Sequence, residues 1–253
     1  MSDPPLSGQT ILITGATGDI GRAIVTAVAE AGGHPIIHYR SNDRQAQTLL
    51  EQIGGSGTLL QSDLMQADGA LRLWDAAEDR AGRIDSLVNN AGIRTAARIE
   101  DPLDMWAEGW EQDLRLNLRA PADLCRKAIQ HFRLHGGGRI INMTSRAAHR
   151  GYTEEFMAYG ASKAGLVNLT KSIARYFGPE GIVAIAVSPG FVRTEMAEEF
   201  IQAKGKHVAL GDIPIGEMVE PKEVADVVCL ALRPDQRSLS GATLDINGAS
   251  YVR

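Results

Sequence analysis

The chain has 253 residues, of which 44% are hydrophobic and 23% are charged, and its formal net charge is -5. This composition excludes a disordered chain and supports a sizeable buried core in one large α/β domain or two small ones. The acidic balance argues against nucleic acid as a partner, which requires a clustered basic face. No apolar segment approaches the roughly 18 residues of a membrane span, and the opening MSDPPLSG lacks the core of a signal peptide. The cysteines, Cys125 and Cys229, are far apart, so we expect a cytoplasmic protein without a disulfide framework.

Short apolar segments alternate with amphipathic segments of helical spacing along almost the whole chain. Strands are predicted at 10–14, 35–39, 58–62, 85–89, 139–144, 182–187 and 243–247. Helices are predicted in the intervening segments, such as GRAIVTAVAEAG, ALRLWDAAEDRAG and ASKAGLVNLTKSIARYFG. This alternation predicts a Rossmann-like, doubly wound parallel sheet with helices on both faces, in a single domain over residues 1–253.

One segment, residues 191–217, interrupts this pattern between two strands and shows no continuous helix periodicity. Long excursions near the carboxyl ends of parallel strands are usually functional. We therefore expect this substrate-loop excursion, together with residues 146–156, to form the substrate side of a site.

The segment ILITGATGDIGRAI (11–24) carries glycines at Gly15, Gly18 and Gly21 between a predicted strand and a helix that starts at about Ile20. Such a turn lets the backbone approach a pyrophosphate, and the helix N-terminus supplies N–H donors. The alternative is a tight turn with small residues at a helix–strand contact. Asp19 is an unusual residue beside a phosphate, and we expect it to cap the helix with its side chain turned away.

Several motifs together resemble the short-chain dehydrogenase/reductase family, in order and near the family's spacings. They are TGATGDIG (14–21), NNAG (89–92), Ser145, YGASK (159–163) and SPG (188–190). The resemblance covers almost the whole chain and is closest to compact, single-domain, 3-oxoacyl-carrier-protein-reductase-like members. Those members usually carry T-G-x-x-x-G-x-G, with glycine in place of Asp19. Glu217 also differs from the family pattern, since these reductases often have arginine at that position.

The resemblance implies a nicotinamide dinucleotide along the glycine turn. The implied cofactor-binding residues are Gly15, Thr17, Gly18, Asp19, Ile20, Gly21, Tyr39, Arg40, Ser41, Asp63, Leu64, Asn89, Ala91, Gly92, Tyr159, Lys163, Pro189, Gly190, Val192 and Thr194. The second strand ends without an acid and is followed by Arg40, whose guanidinium suits a phosphate, so NADP(H) is preferred and NAD(H) is possible. The alternatives are a solvated arginine at this position and a helix N-cap at Asp63.

Tyr159 and Lys163 lie four residues apart on a predicted helix, so their side chains share one face. A phenol with a pKa of about 10 must become more acidic to transfer protons near neutral pH. A cation about 4 Å away, at an effective dielectric of 20, contributes about 4 kcal/mol, or roughly three pKa units. By resemblance, Ser145 holds the substrate oxygen and Asn117 holds a helix kink and a proton relay. Each residue alone also has a purely structural explanation, but the combination favours catalysis.

These patterns predict an NAD(P)(H)-dependent oxidoreductase that interconverts a carbonyl and a secondary alcohol, namely a ketone reductase using NADPH. The alternative is a catalytically inactive dinucleotide-binding sensor on the same fold. Arg94, Arg146, Arg150 and Arg193 are expected near the mouth, where they attract an anionic substrate unless nearby glutamates neutralise them. His149 is expected to pack or to lie at the surface, and no metal site is predicted.

The resemblance also implies a homo-oligomer, a dimer or a tetramer. Its contacts are expected from residues 101–135, 157–178 and 240–253. The same apolar faces are equally expected of a packed core.

Overall fold

The computed structural model describes residues 3–205, 207 and 210–253, and its strands form one seven-stranded sheet in the order β3-β2-β1-β4-β5-β6-β7. All neighbouring strands are parallel. The strands are β1 (Thr10–Ile13), β2 (His34–Tyr39), β3 (Thr58–Gln61), β4 (Ser86–Asn89), β5 (Gly138–Met143), β6 (Ile182–Pro189) and β7 (Thr243–Ile246). The doubly wound parallel sheet predicted from the sequence is thus confirmed.

Helices connect successive strands and cover both faces of the sheet. They are α1 (Asp19–Glu30), α2 (Asp43–Gln52), α3 (Gly69–Ala81), α4 (Leu103–Leu114), α5 (Ala120–Leu134), α6 (Ala147–Arg150), α7 (Met157–Phe177), α8 (Glu195–Lys204) and α9 (Pro221–Leu232). A π-helical turn, Arg115–Arg119, joins α4 to α5. Short 3-10 turns occur at Glu154–Phe156, Gly178–Glu180 and Arg237–Leu239. Among the described helices, none combines the length and apolar character needed to cross a membrane.

The sheet is buried on both faces because successive side chains of each strand point to opposite sides. Ile11 and Ile13 of β1 join the core beneath α1 and α9. Leu12, between them, joins the other core, which contains Trp74 of α3 and Phe132 of α5. A central strand buried on both faces requires an almost continuous apolar sequence, and TILI has it.

The strand order reverses at β1, which pairs with β2 on one side and β4 on the other. In open α/β sheets, ligands bind in the crevice beyond the carboxyl ends of the strands at such a reversal. The turns that follow β1, β4, β5 and β6 all lie at this edge. The fold therefore gathers the glycine turn, NNAG, Ser145 and SPG around one crevice.

The substrate-loop excursion contains more helix than expected. Thr194 is the N-cap of α8, and its hydroxyl accepts a hydrogen bond from the Ala197 N–H. This cap and the acidic residues of the first turn, Glu195 and Glu198, favour a helix start, so the expectation of no continuous helix is wrong for residues 195–204. Residues 206, 208 and 209 of the excursion lie outside the described residues.

Candidate active site

The glycine turn after β1 depends on close backbone contacts. Gly15 has a φ of +61°, and a Cβ added there would lie 2.8 Å from the Ala91 Cα. A Cβ on Gly21 would lie 2.3 Å from the Gly15 carbonyl oxygen. At Gly18 the nearest atom would be 3.6 Å away, and this residue is the N-cap of α1 without a side-chain hydrogen bond. The first N–H groups of α1 therefore lack a side-chain cap and suit a phosphate.

Asp19 is the first residue of α1 and not its cap, so the expected cap is wrong. Gly18 occupies the N-cap position instead. The Asp19 carboxylate pairs with Arg22, one turn along the helix, and its Oδ2 accepts the Glu195 N–H at 3.1 Å. A negative charge in the first turn still interacts favourably with the helix dipole. The side chain thus links the glycine turn to the start of α8.

Thr14 and Asn90 connect the glycine turn to the NNAG turn by hydrogen bonds. Neither residue was predicted from the sequence to do so. The Thr14 Oγ1 accepts the Asn90 N–H at 2.9 Å and the Ala91 N–H at 3.0 Å. The Asn90 Nδ2 donates to the carbonyl oxygens of Thr14 and Gly15 at 2.9 and 3.0 Å. Thr14 lies in TGATGDIG and Asn90 lies in NNAG, so the motifs could have identified both residues.

His38, near the end of β2, supports the same turn from below and was also missed. Its Nδ1 accepts the Gly15 N–H at 3.0 Å, and its Nε2 lies 3.0 Å from the Ser62 carbonyl oxygen. Because Nδ1 accepts, Nε2 carries the proton and donates to Ser62, which makes the ring neutral. Burial lowers the pKa of His38 to about 4. A polar residue in an apolar strand was the only sequence signal.

The segment after β2 presents Arg40 at the surface beside the crevice. The Arg40 side chain is exposed, and among the described residues no carboxylate forms an ion pair with it. Ser41 is exposed as well. The Tyr39 hydroxyl lies beside Asp43, an acid that was not predicted from the sequence to belong to the site. Burial, with Asp43 second, raises the pKa of Tyr39.

Three other residues of the expected cofactor set use their side chains structurally. The Asp63 Oδ1 accepts the Met65 N–H at 3.0 Å and so closes a turn, which is close to the N-cap alternative. Leu64 lies in the core beneath α3. Asn89 is buried, and its Nδ2 donates to the Asn142 Oδ1 at 2.8 Å. The side chains of Leu64 and Asn89 are therefore buried, whereas that of Asp63 is partly exposed.

Ser145, Tyr159 and Lys163 meet at the carboxyl end of β5. Ser145, which follows the strand, lies beside the Tyr159 hydroxyl and favours its ionised form. The Lys163 Nζ donates to the Met143 carbonyl oxygen at 2.9 Å and lies 5.8 Å from the centre of the Tyr159 ring. The structure therefore brings these three predicted residues together on α7 and the adjacent strand end.

Asn117 lies in the π-helical turn and is fully buried. Its Oδ1 accepts the Ile93 N–H at 2.9 Å, and its Nδ2 donates to the Ile93 carbonyl oxygen at 2.9 Å and to the Ser162 Oγ at 3.1 Å. A Cβ on Gly92 would lie 3.0 Å from the Asn117 Oδ1 and 3.3 Å from the Lys163 Nζ. Gly92 therefore leaves the space in which Asn117 and Lys163 approach each other.

The charge states at this site differ from the expected ones. Burial raises the pKa of Tyr159, although the Ser145 hydrogen bond and Arg94 oppose the rise. Burial also lowers the pKa of Lys163, to about 8. The lowering of the Tyr159 pKa that was expected from Lys163, with help from the positive charge of an oxidised nicotinamide, is not produced by the protein's own groups, because desolvation penalises both charged forms. The phenol stays protonated at neutral pH and is poised to donate its proton.

The segment after β6 faces the same crevice. The Gly190 N–H donates to the Ile246 carbonyl oxygen at 2.8 Å, and a Cβ there would lie 2.7 Å from the Asn247 Cα, which explains the glycine after Pro189. Val192 is buried and forms a parallel bridge with Val219. In such a bridge the flanking residues bond to Val219, so the N–H and C=O of Val192 face the opposite side.

The arginines of the substrate side divide into two groups. Arg193 pairs with Glu198 and Glu220, so its charge is neutralised and does not attract a substrate to the mouth of the crevice. Arg146 and Arg150 share one carboxylate, Asp212 of the excursion, and the Arg146 Nη1 lies 3.4 Å from its Oδ2.

Arg94 and His149 flank this cluster. The Arg94 guanidinium lies 4.5 Å from the Phe156 ring centre and donates to the Tyr152 hydroxyl at 2.8 Å. His149 stacks on Tyr251 at 5.6 Å, which is the packing role expected for it.

The chain matches known proteins over almost its full length. Residues 15–249 match a family model described as enoyl-(acyl carrier protein) reductase. A 3-oxoacyl-[acyl-carrier-protein] reductase of Synechocystis sp. is 34% identical over 252 residues, which cover 98% of each chain. A 3-oxoacyl-[acyl-carrier-protein] reductase of Rickettsia bellii is also 34% identical, and the match again covers 98% of each chain. The short chain dehydrogenase/reductase dpchG of Colletotrichum higginsianum is 35% identical over 98% of this chain and 96% of its own.

These matches agree with the geometry of the crevice. A parallel sheet with a glycine turn at its switch point, and a serine, a tyrosine and a lysine close together there, are the parts of a dinucleotide-dependent oxidoreductase. The chain belongs to the short-chain dehydrogenase/reductase family of oxidoreductases, which interconvert carbonyl and alcohol groups with a nicotinamide dinucleotide.

Proposed function

We propose that this protein is an NADPH-dependent ketone reductase, and that 3-oxoacyl thioesters are its substrate class. The observation that carries the proposal is the protonated Tyr159 phenol, with the Lys163 Nζ 5.8 Å from its ring centre and Ser145 beside its hydroxyl. A protonated phenol is the state that a carbonyl reduction consumes. The names of the Synechocystis and Rickettsia relatives support the substrate class.

The residues around the crevice suit the parts of an NADP(H) molecule. The uncapped N-terminus of α1 and the turn Gly15–Gly21 suit the pyrophosphate. Arg40, exposed and without a carboxylate partner among the described residues, suits the 2′-phosphate. The main-chain groups of Val192 suit the carboxamide. When bound, the dinucleotide supplies the hydride.

The side chains of the protein then bind the substrate oxygen and supply the proton that it takes up. The Ser145 hydroxyl accepts the Ala147 N–H at 3.1 Å, so its remaining positions point toward Tyr159 and the substrate oxygen. Tyr159 donates its proton to the oxygen that receives charge as the carbonyl is reduced. Lys163 restores that proton, and Asn117 holds the loop at Ile93 that borders the lysine.

The substrate side supports an anionic substrate. Arg146 and Arg150 together face one carboxylate, Asp212. Glu154 and Glu155, which the sequence placed in the same region, are engaged by the Ile99 N–H and by Arg98. Arg146, Arg150 and Asp212 together carry one net positive charge, which favours a thioester of an acidic carrier.

We also propose a homo-oligomer, a dimer or a tetramer, in a reducing cytoplasm. The support is an apolar surface on the long helices. Its exposed members are Leu103, Met105, Leu134, Met157 and Tyr176. Larger apolar surfaces mark protein contacts in soluble proteins. Both cysteines are free.

The test is NADPH oxidation, followed by absorbance, with acetoacetyl-CoA and a panel of simple ketones. The parent protein should consume NADPH with acetoacetyl-CoA faster than NADH at equal concentration. Tyr159→Phe should lose about 10³-fold in kcat, the usual contribution of a positioned acid. It should still bind NADPH in a fluorescence titration.

Two results would overturn this proposal. One is a Tyr159→Phe protein that keeps the parent kcat. The other is a parent protein that binds NADPH but reduces none of the carbonyl compounds, as a dinucleotide sensor would.

A further inference from the structure

Asp113 is a buried carboxylate on α4 that neither the motifs nor the expected site residues include. It has 0% of its surface exposed and lies four residues before Asn117. Its Oδ1 accepts the Thr95 N–H at 3.0 Å, just as the Asn117 Oδ1 accepts the Ile93 N–H. The two side chains therefore hold alternate N–H groups of the loop that follows Gly92.

The second oxygen of this carboxylate has no such partner. The Asp113 Oδ2 is buried and makes no hydrogen bond to any described residue. A buried, unsatisfied polar atom is costly to a fold, more so when it carries charge. A neutral residue of similar size would avoid that cost, so the charge itself requires an explanation.

The charges that act on Asp113 are positive and belong to the active site. Lys163 on α7 and Arg94 on the loop after NNAG both attract the carboxylate, and burial raises its pKa. Helices α4 and α7 pack against each other, which places Asp113 and Lys163 on neighbouring helices. No ion pair within 4.0 Å joins them, and the interaction acts through the buried space between the helices.

Lys163 in turn depends on this charge. The Tyr159 ring lies beside Lys163 on the same helix, the Met143 carbonyl oxygen accepts a hydrogen bond from its Nζ, and Asp113 acts on it from α4. Burial lowers the pKa of Lys163, and Asp113 opposes that change.

The remaining charged groups nearby act on the tyrosine. Arg94 and Tyr152 lie beside Tyr159, on the substrate side of the ring. Among the described residues, Asp113 is thus the carboxylate that favours the ammonium form of Lys163.

We propose that Asp113 is a positioning residue for the reaction: its buried carboxylate keeps Lys163 in the ammonium form and, through Thr95, fixes the loop beside it. This inference rests on the proposed roles of Lys163 and Tyr159. It assigns to α4 a function that the π-helical turn and Asn117 alone do not provide. Removal of the charge should release the Lys163 proton at a lower pH, while removal of the whole side chain should also loosen the loop.

The direct test is an NMR titration of lysine labelled with ¹³C at Cε, in the full chain without cofactor. Lys163→Met identifies the Lys163 signal. In Asp113→Asn, which keeps an acceptor for the Thr95 N–H, the Lys163 midpoint should fall by about one pH unit, the size expected of one nearby charge at an effective dielectric of 20. Asp113→Glu, which retains the charge, should restore most of the shift.

The matched control is Asp104→Asn, which removes an exposed carboxylate from the same helix. It changes the net charge equally and should leave the Lys163 midpoint unchanged. Circular dichroism verifies that each variant is folded. A midpoint that is the same in Asp113→Asn and in the parent would overturn the proposal, whatever the activity of the protein.

A second measurement separates this inference from the proposed function. With acetoacetyl-CoA and NADPH, the alkaline limb of the kcat profile of Asp113→Asn should move to lower pH by about one unit, because loss of one nearby charge eases deprotonation of both Lys163 and Tyr159. A purely structural role would lower kcat at every pH and leave the limb in place. If the parent has no turnover, the proposed function fails, and the NMR titration still decides the role of Asp113.

Discussion

The two walls of the crevice are built by different physical means. The dinucleotide side, which comprises residues 14–21, His38 and residues 90–92, is held by hydrogen bonds between neutral buried groups and by glycines in close contact. The substrate side, which comprises residues 146–150 and 191–219, is held by ion pairs such as Arg150–Asp212 and Arg193–Glu220. Asp212 keeps 47% of its side-chain surface in solvent, and Glu220 keeps 48%.

This difference assigns distinct tasks to the two walls. Neutral hydrogen bonds and steric contacts are insensitive to salt and leave one conformation, so the dinucleotide side is preorganised for its ligand. Exposed ion pairs contribute about 0.2–1 kcal/mol each and are screened by salt, so the substrate side can open at little cost. Helix α7, which carries Tyr159 and Lys163, lies between the walls and serves both.

The largest effect should come from Gly21→Ala on the dinucleotide side. The added Cβ would lie 2.3 Å from the Gly15 carbonyl oxygen and 2.8 Å from the Ala16 Cα, and both are backbone atoms that cannot rotate away. We expect a loss of about 3 kcal/mol in the free energy of unfolding, at the upper end for overpacking. Urea unfolding measures it, and NADPH binding should be lost as the turn shifts.

Gly18→Ala is the matched control in the same turn. Its added Cβ meets no atom nearer than 3.6 Å, and its φ of -74° suits alanine. The cost should stay below about 1 kcal/mol, the value of an N-cap preference. Equal losses in the two variants would mean that the turn is not held by steric contact.

A somewhat smaller effect should follow from His38→Asn, measured as a function of pH. The pKa of His38 is lowered from its usual 6.5 to about 4 by burial. Between these pH values His38 binds a proton in the unfolded chain but not in the folded protein. The free energy of unfolding therefore falls as the pH drops from about 6.5 to about 4. The full difference corresponds to about 3 kcal/mol.

His38→Asn removes that titration, so its unfolding free energy should decline less than that of the parent over the same interval. At pH 7 the variant should be less stable by about 1–3 kcal/mol, because asparagine keeps an acceptor for the Gly15 N–H but is too short to reach the Ser62 carbonyl oxygen. Urea unfolding at several pH values gives both quantities. Parallel stability curves for parent and variant would contradict the role of a neutral His38.

The fold could be predicted from the sequence because it follows from local patterns. Apolar segments such as TILIT and IVAIAV alternate with amphipathic helices, and that alternation allows few topologies other than a parallel sheet. The predicted strand ends differ from the observed ones by one or two residues. Ser145, Tyr159 and Lys163 could be placed together because their motifs lie at strand ends and on one helix face.

The remaining features depend on packing between distant segments. Asp113 and His38 are polar residues in ordinary helix and strand patterns, and only the contact of α4 with α7, or of β2 with the glycine turn, makes them functional. The raised pKa of Tyr159 follows from burial, which spacing along a helix does not report. The start of α8 depends on two hydrogen bonds, in which the Thr194 hydroxyl accepts the Ala197 N–H and the distant Asp19 carboxylate accepts the Glu195 N–H.

The smallest effect on stability should come from Asp212→Asn, which sharpens the contrast between the two walls. Arg146 and Arg150 then lose their shared carboxylate, and the excursion loses its attachment to α6. Because Asp212 is half exposed, the free energy of unfolding should fall by less than about 1 kcal/mol.

The KM for acetoacetyl-CoA should fall instead, because the freed Arg146 and Arg150 attract the anionic substrate more strongly. The kcat and NADPH binding should remain those of the parent, since the dinucleotide side is untouched. Added salt should raise the KM of the variant more steeply than that of the parent, because salt screens this attraction. Asp226→Asn, which breaks the exposed Lys222–Asp226 pair on α9, is the control and should match the parent at every salt concentration. If Asp212→Asn instead weakens NADPH binding as strongly as it changes the KM, the two walls are one cooperative unit, and the excursion closes over the dinucleotide as well as the substrate.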